Sequence, residues 1–233
     1  MRARSEARTR MSVPVAVEVG APAEGVRLLG DLVVPQPAYG VVLFAHGSGS
    51  SRHSPRNRAV AKALQDGGFA TVLLDLLTAE EEERDYRTAE LRFDIGLLSR
   101  RLISTADQLR EWESTRDLPL GIFGASTGAA SALVAAAERP ESVRAVVSRG
   151  GRPDLAGTAL RRVRAPTLLI VGGADHHVLR LNQQAAEQLS APHELRVVPG
   201  ATHLFEEPGT LEQVALHAAD WCDRYLRQTA RAG

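Results

Sequence analysis

Ser126 stands at the centre of the sequence Gly124-Ala125-Ser126-Thr127-Gly128, with a glycine two residues to either side of it. The apolar segment 118–123 leads into this pentapeptide, and the alanine-rich segment 129–138 follows it. A strand, then G-x-S-x-G, then a helix is typical of a nucleophile elbow, a strained turn that exposes the serine Oγ. Side chains larger than glycine would collide there with the strand and the helix. The alternative interpretation is a glycine-rich turn before a helix, without catalytic function.

A catalytic serine needs a general base, and the base needs a carboxylate that orients it. Asp175 follows the apolar segment 167–171, and His203 follows the apolar segment 194–198. In a parallel α/β sheet, functional groups collect just after the carboxyl ends of the strands. We therefore expect Ser126 as the nucleophile, His203 as the base and Asp175 as the acid that orients it. Taken singly, Asp175 could be a turn former and His203 a surface loop residue.

The loop His46-Gly47-Ser48-Gly49-Ser50-Ser51 follows the apolar segment 41–45 and is a candidate for the oxyanion hole. Glycine in such a loop lets the backbone approach a substrate closely. We expect the backbone N–H groups of Ser48 and Thr127 to bind the developing oxyanion. A glycine–serine loop without a ligand is the alternative. A phosphate-binding loop is disfavoured because the pattern G-x-x-x-x-G-K is missing.

Four further residues are candidates for substrate contacts: His46, Gly47, Arg149 and His176. Arg149 or Arg152 could pair with a substrate carboxylate, but a salt bridge to a nearby carboxylate such as Asp154 is the preferred interpretation. His176 could line the rim of the pocket. We expect no metal site, because adjacent histidines such as His176 and His177 usually point apart. We also expect no cofactor.

Apolar periodicity predicts the elements that position these residues. Strands are expected at 13–19, 26–34, 41–45, 70–74, 118–123, 143–148, 167–171 and 194–198. Helices are expected at 55–66, 88–114, 127–139, 155–162, 179–190 and 210–229. The glutamate run 80–83 is expected in a solvated loop and helix N-terminus before the long helix. This order predicts a mostly parallel sheet with antiparallel N-terminal strands and helices on both faces. Only 18 residues, 149–166, separate two strands where a lid could be inserted, so we expect no large lid.

Composition is that of an ordinary globular chain of 233 residues, with 44% hydrophobic and 24% charged residues. The 28 basic and 28 acidic residues balance, which argues against nucleic acid and anionic membranes as partners. Cys222 is the only cysteine, so no intrachain disulfide can form, and we expect it to be packed in the core. Residues 1–12 lack the apolar stretch of a secretory signal and are expected to be a mobile tail before a single domain at 13–229. A cytoplasmic location is the resulting expectation.

Four segments together resemble the α/β-hydrolases, and most of all the dienelactone hydrolase branch: FAHGSGSSR, GASTGAA, VGGADHHV and PGATHLF. The resemblance covers about residues 13–228. Dienelactone hydrolases use a cysteine nucleophile, whereas this chain has Ser126, so the resemblance favours a serine esterase over a dienelactone substrate. Similar domains also occur fused to phosphoribosyltransferase domains, but this chain has no acidic-pair motif for phosphoribosyl diphosphate.

The expected function is therefore cofactor-free hydrolysis of small carboxylic esters, or of thioesters or lactones, through an acyl-enzyme at Ser126. The alternative is a hydrolase fold that has lost catalysis and serves as a ligand-binding or interaction module. The complete set Ser126, Asp175 and His203 argues against that alternative.

Overall fold

The structure, a computed structural model, describes residues 13–227. Its strands are β1 (Val15–Ala21), β2 (Val26–Val33), β3 (Val41–Ala45), β4 (Ala70–Leu74), β5 (Leu120–Ala125), β6 (Val143–Arg149), β7 (Thr167–Gly172) and β8 (His193–Val198). Its α-helices are α1 (Pro55–Asp66), α2 (Ala79–Thr88), α3 (Ile95–Leu109), α4 (Thr127–Glu138), α5 (His176–Ala186) and α6 (Thr210–Cys222). The tail expected at 1–12 and the last residues of the final expected helix lie outside the described residues.

The strands form one sheet in the order β1-β2-β4-β3-β5-β6-β7-β8. β2 pairs antiparallel with β1 and with β4, and the pairs from β4–β3 to β7–β8 are parallel. The expected α/β-hydrolase fold is confirmed. β3 lies between β4 and β5, so the strand order reverses there, and such a switch point opens a crevice at the carboxyl ends of the strands. The loops after β3 and β5 are consequently neighbours, with Ala45 opposite Gly124.

Helices cover both faces of the sheet, as the sequence predicts. Helices α1 and α6 contribute Val60, Leu64, Val214 and Trp221 to the core on one face. Helices α3 and α4 contribute to the core on the other face, with residues such as Leu102 and Leu133. The strands β3, β4 and β5 are buried along their whole lengths because both of their faces are covered. This rigid centre fixes the loops at the carboxyl ends of the strands.

The helix expected at 88–114 is shorter in the structure, where α3 spans Ile95–Leu109 and a separate helix, α2, precedes it. Ala89 ends α2 in the left-handed conformation, and the side chain of Asp94 caps the start of α3. The glutamate run lies at the N-terminus of α2 and not at that of the longer helix. Glu81 binds Arg101 of α3 through two contacts of 2.6 Å, and Arg101 is only 1% exposed. This buried ion pair holds α2 against α3.

The segment between β6 and β7 contains a 3₁₀-helical stretch, Pro153–Arg162, that is kinked at Gly157. No larger insertion occurs between these two strands, which agrees with the expected absence of a large lid there. Helix α2 instead lies at the rim of the crevice. None of the helices within residues 13–227 combines the length and the apolar character needed to cross a bilayer.

Candidate active site

The serine elbow has the strained backbone that the sequence predicts. Ser126 joins β5 to α4 with φ 50° and ψ −121°, a conformation that non-glycine residues rarely adopt. A Cβ on Gly124 would lie 2.4 Å from the Cα of Ala129, and a Cβ on Gly128 would lie 2.3 Å from the carbonyl oxygen of Ala45. Both glycines are therefore required by backbone packing. The strain is held by the buried strand and helix on either side.

Asp175 and His203 are brought together, although 28 residues separate them in the sequence. Nδ1 of His203 lies 2.8 Å from Oδ2 of Asp175, and Oδ1 of Asp175 accepts the backbone N–H of Val178 at the start of α5. A carboxylate at this position accepts a hydrogen bond from Nδ1–H, so Nε2 of the neutral imidazole is left free as a base. The pair thus has the geometry expected of an orienting acid and its base.

The loop that carries His203 is fixed by two features that the sequence interpretation missed. Gly172 permits a close approach, because a Cβ there would lie 2.3 Å from the carbonyl oxygen of Ala201. The Glu207 carboxylate accepts hydrogen bonds from the Thr202 backbone N–H at 3.1 Å and from its hydroxyl at 2.6 Å. These bonds, the hydroxyl bond foremost, lower the pKa of Glu207. Glu207 therefore stabilises the turn that presents His203.

Ser126 and His203 approach the same dipeptide, Arg149-Gly150, from two sides. The N–H of Ser126 donates to the carbonyl of Arg149 at 3.2 Å. A Cβ on Gly150 would lie 3.6 Å from Cε1 of His203, which is ordinary van der Waals contact, so the imidazole lies next to this glycine. Within the described residues Ser126 Oγ makes no hydrogen bond, so proton transfer needs a closer approach of the imidazole.

The two expected oxyanion donors lie at the switch point. Gly47 faces the serine, since a Cβ on it would lie 3.0 Å from the Ser126 Cβ. The N–H groups of Ser48 and Thr127 donate no backbone hydrogen bond within residues 13–227. Thr127 begins α4, so its N–H also carries the partial positive charge of a helix N-terminus. Two free donors beside the serine are what a developing oxyanion requires.

A cavity of about 230 Å³ opens beside these donors. The residues that line it come from the loop after β3, from the start of α4, from α2 and from the neighbouring apolar core: His46, Gly47, Ser48, Gly49, Ser50, Ser51, Leu76, Leu77, Glu82, Asp85, Tyr86, Arg92, Leu98 and Thr127. Burial, with the charge of Asp75 second, raises the pKa of Glu82. The contribution of α2 was not predicted, although Thr78-x-x-Glu81 is the sequence signal of a helix start.

Comparison with known proteins assigns the family. The model of the dienelactone hydrolase family matches residues 29–229, most of the chain. The chain belongs to the dienelactone hydrolase family. A crystal structure of a dienelactone hydrolase from Anabaena variabilis is 58% identical and superposes with a TM-score of 0.90, covering 94% of this chain and 100% of that one. Est1E from Butyrivibrio proteoclasticus is 15% identical, with a TM-score of 0.74 over 94% of this chain and 99% of its own, and shares the fold.

A longer relative occurs in Mycobacterium tuberculosis strain H37Rv, where it is described as a proposed phosphoribosyl transferase. It is 60% identical over 204 residues, which are 88% of this chain and 45% of that protein. This member of the dienelactone hydrolase family thus spans about half the length of the curated relatives it matches. Family membership and the structural neighbours support a hydrolase.

His46 lines the cavity, and both of its ring nitrogens make hydrogen bonds within the protein. A substrate contact by His46 stays a prediction. Its Nε2 accepts the N–H of Leu76 at 3.0 Å, and its Nδ1 lies 2.9 Å from the carbonyl oxygen of Gly47. Burial lowers the pKa of His46, against smaller opposing effects of the Gly47 carbonyl and the Asp75 charge. A neutral imidazole therefore fixes the loop that carries Ser48.

The two arginines after β6 have different environments. Arg152 forms the expected salt bridge with Asp154, through contacts of 2.9 and 2.7 Å. Arg149 forms no salt bridge within the described residues, although it is only 8% exposed. Burial, followed by the charge of Arg56, lowers the pKa of Arg149 to about 10. Arg149 therefore remains a candidate for binding an anion.

His176 is exposed as the first residue of α5 and does not line the cavity beside Ser48. Cys222 is buried, and burial raises the pKa of its thiol to about 12. Such a thiol is almost wholly protonated at neutral pH, so it cannot replace the family's cysteine nucleophile. Ser126 is the side chain at the elbow that can take the nucleophilic role.

Proposed function

We propose that this member of the dienelactone hydrolase family is a serine hydrolase of small carboxylic esters. The observation that carries the proposal is the strained Ser126 elbow next to a His203–Asp175 pair joined at 2.8 Å. A non-glycine residue held in this conformation indicates a functional constraint, because the backbone strain must be offset by the packing around it. The buried, protonated Cys222 supports serine rather than cysteine chemistry.

The proposed reaction follows from these positions. Nε2 of His203 takes the proton of Ser126 Oγ, and Oγ attacks the ester carbonyl carbon. The carbonyl oxygen becomes an oxyanion, which the N–H groups of Ser48 and Thr127 bind. The imidazolium then gives its proton to the alkoxide leaving group, and the acyl-enzyme remains. Water, deprotonated by His203, attacks this intermediate. The imidazolium then returns the proton to Ser126 Oγ as the acid leaves, while Asp175 stays ionised.

The cavity supports a small acyl group. Its volume of about 230 Å³ is modest, and Leu76 and Leu98 give it apolar walls. Glu82 and Tyr86 of α2 also line it. Short-chain esters therefore suit it best, and thioesters and activated lactones fall within the same chemistry.

A ligand-binding module without catalysis is the second candidate. One observation favours it, namely that Ser126 Oγ makes no hydrogen bond within the described residues. In that case the elbow, the His203–Asp175 pair and the cavity would be remnants of an ancestral enzyme. Phosphoribosyl transfer is not proposed, because the sequence lacks the acidic-pair motif for that substrate.

Labelling with a fluorophosphonate tests the proposal, since the probe reacts with activated serines. We expect labelling of the wild type and of Cys222→Ala, and none of Ser126→Ala. A p-nitrophenyl ester series should show the highest kcat/KM for short acyl chains. Folded wild-type protein that is neither labelled nor active would favour the binding module.

A further inference from the structure

The guanidinium of Arg149 is buried without a counter-charge. Its Nε and Nη1 have no hydrogen-bond partner within residues 13–227, and the residue is 8% exposed. Buried charges in folded proteins are normally paired, because an isolated ion that leaves water loses its hydration without compensation. Arg152, three residues later, shows the normal case through its salt bridge to Asp154. The unpaired Arg149 therefore points to a missing anion.

A second arginine, Arg56 in the first turn of α1, approaches the same region. Its Nη1 contacts Glu206 at 3.4 Å. The ring of the preceding residue, Phe205, would lie 3.4 Å from a Cβ on Gly150, the residue after Arg149. The Nε of Arg56 is buried and has no hydrogen-bond partner within residues 13–227. The charge of Arg56 also lowers the pKa of Arg149. An anion bound by both arginines would offset their repulsion and their desolvation.

Arg149 lies at the edge of the sheet where Ser126 and His203 also lie. Arg149 ends β6, and its carbonyl oxygen accepts the N–H of Ser126. The next residue is Gly150, and a Cβ on it would lie 3.2 Å from the His203 carbonyl oxygen. The cavity beside Ser48 is lined by neither arginine, so it is a separate space. The arginine pair thus lies on the side of the proposed base, which is the side where a leaving group receives its proton.

We propose that Arg149 and Arg56 form a subsite for an anionic oxygen group, a carboxylate or a phosphate, on the leaving-group part of the substrate. The inference rests on the proposed hydrolase function and deepens it. The substrate class becomes esters whose alcohol or phenol part carries a carboxylate or a phosphate, with the acyl part in the cavity beside Ser48. Arg149 binds the anion from the end of β6, and Arg56 binds it from the start of α1.

Glu206 competes for the same subsite. Its carboxylate is 64% exposed, and the contact with Arg56 is long. An exposed pair of this kind contributes little to stability, so an incoming anion can displace it at small cost. Glu206 therefore weakens the subsite, and its removal should strengthen anion binding.

The test compares two esters of matched shape, 3-acetoxybenzoate and its neutral analogue 3-acetoxybenzamide. We expect the wild type to prefer the benzoate in kcat/KM. Arg149→Met should lower the benzoate-to-benzamide ratio at least tenfold, and Glu206→Gln should raise it. Arg152→Gln is the matched control, because it removes a paired charge from the same edge, and it should leave the ratio within twofold.

Thermal unfolding gives a readout independent of turnover. Arg149→Met should not lower Tm, because an apolar side chain replaces an unpaired charge. Benzoate or inorganic phosphate should raise the Tm of the wild type and of Glu206→Gln, but not that of Arg149→Met. The anion that gives the larger shift identifies the preferred group.

Two results would contradict the anion subsite and leave the proposed hydrolase function in place. One is equal use of both esters by an active wild type, and the other is a Tm shift that Arg149→Met retains. Failure to hydrolyse either ester would instead count against the proposed function, and the unfolding experiment would still decide whether Arg149 binds an anion.

Discussion

Nδ1 of His203 lies 2.8 Å from Oδ2 of Asp175, a contact made between the loop after β8 and the loop after β7. The carboxylate is held in turn by the Val178 N–H at the start of α5. The imidazole therefore has one defined orientation, with Nε2 on the side away from Asp175. This relationship has a direct consequence for catalysis.

Asp175→Asn should lower kcat by roughly 10⁴-fold, since an amide nitrogen facing Nδ1 favours the wrong tautomer. KM should change little, because Asp175 does not line the cavity. Steady-state kinetics on a short p-nitrophenyl ester measures both constants. Asp154→Asn, a carboxylate paired with Arg152, is the control and should keep kcat within a few fold. A nearly active Asp175→Asn would remove Asp175 from the mechanism.

Glycine at position 128 should be indispensable. In Gly128→Ala the new Cβ would lie 2.3 Å from the Ala45 carbonyl oxygen, a backbone atom that cannot move without disturbing β3. We expect a loss of several kcal/mol in unfolding free energy, typical of overpacking at a rigid site. Gly20→Ala is the control, because its nearest neighbour is the Gln108 side chain at 3.9 Å. Denaturant unfolding measures the free energy of unfolding of both variants. Equal values would contradict the packing argument.

The His46 imidazole should make stability depend on pH. Its pKa is lowered in the folded protein, so the unfolded chain binds more protons between the two pKa values. Stability is therefore complete above the ordinary histidine pKa of about 6.5 and falls as the pH drops through the window below it. His46→Gln keeps an acceptor for the Leu76 N–H and cannot titrate, so its acid dependence should be weaker. His177→Gln, at an exposed position, should behave like the wild type in denaturant unfolding between pH 5 and 7.5.

The ion pair between α2 and α3 should be costly to break. In Glu81→Gln the guanidinium of Arg101, 1% exposed, would lose its counter-charge and remain buried. We expect a loss of about 3 to 5 kcal/mol in unfolding free energy. Glu83→Gln, on an exposed part of the same helix, should change it by less than about 0.5 kcal/mol. Similar stabilities for the two variants would show that α2 is held by other contacts.

The sequence by itself determined the sheet and the three candidate catalytic residues. Apolar runs mark β3, β5 and β7 because buried parallel strands need no polar face. Ser126, Asp175 and His203 could be assigned because each follows such a run, and strand ends meet at one edge of the sheet. The glycines at 124 and 128 were informative for a similar reason, since a tight elbow leaves no space for a side chain.

Tertiary structure alone decided the surroundings of those residues. The bounds of the helix expected at 88–114 were wrong, because Ala89 ends α2 in the left-handed conformation and α3 begins only at Ile95, after the Asp94 cap. Burial of Arg149 and the absence of a counter-charge depend on which elements pack over the end of β6, and a charged residue in sequence predicts exposure instead. The hydrogen bond of His46 could likewise not be predicted, because its partner, Leu76, lies 30 residues away and is brought there by β4. Local patterns fix strands and turns, whereas pairing, burial and charge balance arise only when distant segments meet.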